Sequence, residues 1–153
     1  MNAFSANSLD GNSTNGLPSG GLVSNGIAFG FLPSDGPDKV VYSPTYKMSD
    51  INLKLGSGVK ASTYGWYAHI STTGFDSSQL TEALSDVIAS GAVFQPAIMP
   101  NIPFNEITSE IGHDILTCLE QFTEAGIEVW LRFGHEMNWY VVSHCVVSQI
   151  VHG

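Results

Sequence analysis

Glu128-Val129-Trp130-Leu131-Arg132-Phe133-Gly134-His135-Glu136-Met137-Asn138-Trp139-Tyr140 is the stretch on which the reading of this chain turns. An apolar run breaks abruptly into Arg, His, Glu, Asn and two aromatics, the pattern of a buried strand emptying into a polar site. Arg132, inside it, is the only arginine of the chain.

Upstream of this stretch, short apolar runs alternate with longer segments at helical spacing, the rhythm of β/α units. Residues 27–32 (Ile-Ala-Phe-Gly-Phe-Leu) read as a first strand, ending in Pro33-Ser34-Asp35-Gly36. A short helix over 50–55 is expected, with Ser49 as its cap and Gly56 as its stop. A second strand is expected over 59–67, with Tyr64-Gly65-Trp66-Tyr67 at its C-terminal end. Asp76 and Gln79 have the spacing of a capping box and open a helix over 77–90 with Leu80, Leu84, Val87 and Ile88 on one face. Residues 92–100 read as a third strand, although Pro96 would normally demote a central strand, so an irregular exit is expected there. A long helix fits 107–125, where Ile111, Ile115, Leu119 and Phe122 recur on one face and Gly126 sits at the C-terminal cap. Residues 129–133 are the fourth strand.

Strands buried on both faces and separated by amphipathic helices imply an α/β fold with a parallel sheet. The expectation is a (β/α)8 TIM barrel, of which this chain carries about the first four β/α units. In such folds the reactive groups gather at the C-terminal ends of strands. Asp35, then Tyr64, Trp66 and Tyr67, then Gln95, then Arg132, His135, Glu136 and Asn138 all fall at those positions.

Before this domain, residues 1–25 are rich in Ser, Asn and Gly with Asp10 as the only charge, the composition of a flexible leader or linker. The chain has 153 residues with a formal net charge of -9, which leaves no basic stripe to neutralise phosphates. Nucleic acid is therefore excluded as a partner, and an anionic membrane surface with it. Four lysines offset four aspartates up to Lys60, whereas beyond it Arg132 alone faces ten carboxylates. An acidic chain with 10% aromatic residues suits a neutral, polyhydroxylated ligand, a polysaccharide or oligosaccharide. Cys118 and Cys145 form no framework and report little about redox compartment. No run of about 20 apolar residues is present, and the N-terminus lacks the features of a signal peptide.

Glu136 is the candidate for chemistry. A carboxyl at a strand end beside aromatic rings has its charged form disfavoured, as a general acid near neutral pH requires. Hydrolysis of a glycosidic bond needs such a proton donor together with a second carboxylate. Arg132 is placed to hold a carboxylate or contact a substrate hydroxyl, with a plain structural ion pair as its other reading. His135 is suited to orient Glu136 or bind sugar, and Asn138 to donate to a sugar hydroxyl. Trp66, Tyr64, Tyr67, Trp139 and Tyr140 are candidate platforms for the C–H faces of sugar rings, and Asp35 is a candidate substrate ligand that also reads as a turn. His135-Glu136 begins the zinc motif H-E-x-x-H, but Trp139 stands where the second His must be, so no metal and no cofactor are expected.

The stretch 130–140 resembles the strand 4 signature of family 26 glycoside hydrolases, a group of (β/α)8 barrels that includes β-mannanases. It is similar, more closely, to fungal glycoside-hydrolase-like proteins that also carry Tyr64-Gly65-Trp66-Tyr67, the run from Gly91 to Pro100 and Glu128-Val129-Trp130-Leu131-Arg132-Phe133. The resemblance spans residues 26–141. It implies an endo-acting β-glycanase of retaining mechanism with Glu136 as acid/base, His135 and Arg132 shaping the site, and secretion from the cell. The nucleophile of those enzymes lies at the end of strand 7, so a chain of four units is expected to be inactive by itself. Trp139-Tyr140 follow Asn138 directly, which departs from the mannanase pattern and puts mannan specificity in doubt. Residues 142–153 have no family character and read as a tail of the kind a retained intron adds. The alternative function is a non-catalytic carbohydrate-binding or interaction protein that keeps the aromatic platforms.

Overall fold

A computed structural model of this chain describes residues 16–33 and 47–134. Asn25 and Gly26 set its first element. Both adopt positive φ, 50° and 75°, the combination that closes a two-residue hairpin and that an Asn-Gly pair tolerates best. They join β1 (Val23–Ser24) to β2 (Ile27–Ala28) in an antiparallel pair of their own. The strand expected over 27–32 is thereby broken up. Its first two residues belong to this hairpin, while Phe29 accepts from the Ser62 N–H and Phe31 bonds Thr63 and Gly65 in a parallel bridge centred on Tyr64. Of the stretch read as a leader, residues 1–15 lie outside the described residues, while Leu22 donates its N–H to the Lys60 carbonyl at 2.7 Å.

Helix α1 (Met48–Leu55) starts two residues earlier than expected, so Ser49 lies inside it. Asp50 accepts the Lys47 N–H at 3.3 Å, and Gly56, at φ 70°, ends the helix. Next come β3 (Thr63–Ser71) and the short return strand β4 (Gly74–Phe75). The helix expected over 77–90 is two pieces, α2 (Ser78–Thr81) and α3 (Leu84–Ser90). Asp76 does cap it, accepting from the Ser78 N–H at 2.9 Å, but Gln79 bonds the Asp76 carbonyl rather than its N–H and is otherwise spent on β3. Gly91, left-handed at φ 66°, turns the chain into β5 (Val93–Pro100). Helix α4 (Ser109–Glu124) is capped by Thr108 and buries Ile115, Cys118, Leu119 and Phe122, the face the sequence spacing marks out. It leads to β6 (Arg132–Phe133).

The main sheet has the order β4-β3-β5-β6. β3, β5 and β6 run parallel, and β4 is antiparallel to β3. Even-numbered residues of β3 (Tyr64, Trp66, Ala68, Ile70) and Phe94 and Ile98 of β5 join Leu80, Val87, Ile115 and Phe122 from the helices in one core, where the Phe94 and Phe122 rings stack at 4.3 Å. The opposite face, with Gly65, Tyr67 and Gln95, carries no helix residue of that core.

The expected TIM barrel is not what this chain forms. Its described residues make a small α/β structure with a mixed four-stranded sheet and a two-stranded hairpin. Two local features explain the difference. The edge of β3 on which a barrel needs a full parallel first strand carries only the short parallel contact of Phe31 with Tyr64 at one end, and antiparallel β4, paired to Ile70 and Ser71, takes the other. On the far side, Pro96 is a regular member of β5, in register with Trp66, and does not begin an irregular exit. Phe94 gives its N–H to the Glu128 carbonyl and accepts from the Trp130 N–H, so the parallel pattern asks residue 96 for the next donor. Proline has none. The strand expected over 129–133 is accordingly interrupted, with a bridge at Val129 and pairing resumed only at Arg132 and Phe133.

Alkaline pH should weaken this core. Burial, reinforced by nearby Asp76, pushes the Cys118 thiol from its ordinary 9.0 to about 11. Burial, together with the Asp86 carboxylate, pushes the Tyr64 phenol well above 10.0. In both cases the unfolded chain loses its proton first, so the stabilising difference is complete below pH 9 and is lost as pH rises through the folded values. Urea midpoints should hold steady to pH 9 and then fall, with Cys118 accounting for about 2 kcal/mol by pH 11. Replacing Cys118 with Ala should flatten the first part of that fall and leave the part above pH 10 that belongs to Tyr64.

Candidate functional site

Strand alternation divides the aromatic cluster Tyr64-Gly65-Trp66-Tyr67 between the two faces of the sheet. Tyr64 is fully buried and its hydroxyl donates to Asp86 Oδ2 at 3.0 Å, so it is a core residue with no ring face to offer a sugar. Trp66 borders the cleft but is 6% exposed, and its indole N–H is committed to the Gln79 carbonyl at 2.7 Å. Tyr67, on the other face, is 41% exposed. Of the three candidate platforms Tyr67 alone is exposed, and the two sharing its strand hold the core.

Tyr67 lies in one row with Ala97 of β5 and Arg132 of β6. Arg132 Nη2 donates to the Tyr67 hydroxyl at 3.3 Å, and the Arg132 Cζ lies 5.7 Å from the centre of the Tyr67 ring. The guanidinium is thus held both by a hydrogen bond and by the ring face. Beside this row, Gly65 stands in register with Gln95. A Cβ on Gly65 would come within 3.3 Å of a Leu32 methyl, so the missing side chain keeps the floor open. Together with Phe31 and Thr63 these residues line an open cleft of about 190 Å³. That is below the roughly 300 Å³ at which pockets for drug-sized ligands begin.

The cleft opens on the sheet face. β3 runs four residues past Tyr67, to Ser71, so the Tyr67 row is mid-sheet and the expectation of groups massed at strand ends does not hold here. Gly134, at φ 76°, donates to the Ile98 carbonyl and closes β6. Asp35, His135, Glu136, Asn138, Trp139 and Tyr140 lie outside the described residues. Among the described residues, no group of three or more His, Cys, Asp or Glu is placed to hold a metal ion, and no helix is long and apolar enough to cross a membrane.

Two buried polar residues support the cleft from behind, Asp86, which sequence reasoning passed over, and Gln79, which it read only as part of a helix cap. Asp86, 5% exposed, accepts from the Met48 N–H at 2.8 Å as well as from Tyr64, tying α3 to α1 and β3. Gln79, 4% exposed, accepts from the His69 N–H at 2.8 Å and donates to the His69 carbonyl at 3.0 Å, so its amide fixes α2 against β3 two residues beyond Tyr67. A buried acid or amide satisfied twice is a positioning element, because leaving its partners unpaired is costly. The available signal was their place on the apolar side of their helices, Asp86 next to Val87 and Gln79 next to Leu80.

No protein-family model, curated protein or solved structure matches this chain.

Proposed function

We propose that this chain binds a β-linked polysaccharide or oligosaccharide across the Tyr67 cleft, as part of a glycoside-hydrolysing site in which Glu136 is the general acid/base. The observation that carries the reading is the exposed Tyr67 ring, steadied by Arg132, next to the side-chain-free Gly65 and the Gln95 amide. A flat aromatic takes the C–H face of a pyranose, while amide and guanidinium donors take hydroxyls at its edge. The acidic charge supports a glycan over a phosphate-bearing ligand. The resemblance of residues 130–140 to glycoside hydrolases supports Glu136 as proton donor, four residues after Arg132. That resemblance also points to secretion.

One observation favours the second reading, carbohydrate binding without catalysis. None of the described residues lining the cleft is a carboxylate, whereas hydrolysis of a glycosidic bond takes two. The purified chain should be tested for binding and for release of reducing ends on mannan, lichenan and β-1,3-glucan. Binding to at least one is expected, and Tyr67→Ala should weaken it roughly five- to tenfold, the worth of a good aromatic contact. Turnover supports the hydrolase, binding alone supports the second reading, and neither would reject both.

A further inference from the structure

The charge within the cleft is more specific than the charge of the chain. The sequence has 14 carboxylates and a net charge of -9, yet Arg132, the only arginine, makes no ion pair among the described residues. Its contacts there are the hydroxyl and ring of Tyr67, and every other described residue lining the cleft is uncharged. A guanidinium carries five N–H donors in a planar fork that matches a carboxylate edge to edge. One is given to Tyr67, and Arg132 remains exposed at the cleft wall.

We propose that the saccharide bound at this cleft carries a carboxylate, a uronic acid unit, held by Arg132. The inference rests on the glycan reading above and narrows it to a substrate class. The acidic surface sets the rest of that class. A net charge of -9 disfavours a polyuronate, whereas a neutral backbone with one isolated uronic acid brings a single negative charge, placed against the positive Arg132. Tyr67 positions the guanidinium before the ligand arrives, so less ordering entropy is lost on binding.

The test is calorimetric titration of the full chain with a β-1,4-linked xylo-oligosaccharide bearing a single glucuronic acid branch, and with the methyl ester of the same compound. The two differ only at the carboxyl, which the ester neutralises and caps with a methyl, so the comparison needs no altered protein. The acid should bind roughly tenfold more tightly than the ester, the low end for a charge-assisted hydrogen bond because Arg132 is open to solvent. That advantage should shrink between about 0.05 M and about 0.5 M NaCl, as screening shortens the reach of the charge. Arg132→Gln should erase the advantage and Arg132→Lys should keep part of it. Equal affinity for acid and ester would overturn the carboxylate inference and leave the glycan reading standing. If neither compound binds, and mannan, lichenan and β-1,3-glucan fail as well, the glycan reading falls and the inference with it.

Discussion

Asp86→Ala should lower the stability of this chain by about 2–4 kcal/mol, read as the urea midpoint at neutral pH. The carboxylate is 5% exposed and accepts from the Met48 N–H at 2.8 Å and from the Tyr64 hydroxyl at 3.0 Å. Removing it strands a buried backbone donor and a buried phenol at once, and each lost partner costs on the order of 1–3 kcal/mol. Tyr64→Phe is the control. It removes the hydroxyl and its need for a partner together, so a loss of about 1 kcal/mol is expected. If Asp86→Ala matched Tyr64→Phe in effect, the bond to Met48 would be contributing nothing and the tie between α1 and α3 would lie elsewhere. Because Tyr64 is the β3 neighbour of Gly65, loosening this anchor should also reach the cleft floor.

The second large effect concerns Glu136. Where the chain releases reducing ends from a β-glycan, Glu136→Gln should lower kcat roughly 100- to 10,000-fold, the range for removing a positioned proton donor. Binding should persist, because the amide is nearly the same size and the Tyr67 cleft is untouched. The substitution also removes the alkaline limb of the pH–rate profile, where a proton donor is lost as its carboxyl ionises. Loss of turnover together with loss of binding would assign Glu136 to ligand binding rather than to proton transfer.

Local signals carried much of this architecture. Ile115, Leu119 and Phe122 mark the buried face of α4, and the left-handed Gly91 and the cap at Asp76 fall where their residue types suggest. The Asn25-Gly26 hairpin was equally legible by the same chemistry, but the apolar run following it reads as a strand when turn and run are taken separately. Non-local pairing was beyond the pattern. Periodicity shows that Tyr64 and Tyr67 face opposite ways without saying which way is inward, and that depends on Asp86, 22 residues from Tyr64. The barrel expectation failed for a related reason. Nothing in the spacing of apolar runs reveals that β4 takes one edge of β3, or that the missing N–H of Pro96 shortens β6 on the far side of the sheet.

The cleft was legible in residue type and misread in position. Tyr67 and Arg132 are 65 residues apart and meet because β3, β5 and β6 share one register, which brings the single arginine over an aromatic ring in mid-sheet. The claim that this pair forms a glycan site is tested most directly by NMR titration of the labelled chain with β-linked oligosaccharides. Saturable shifts centred on the Gln95 side-chain amide, the Tyr67 ring and the Arg132 guanidinium are predicted, and they should disappear in Tyr67→Ala. Saturable shifts confined to other surfaces, or none at millimolar ligand, would contradict it.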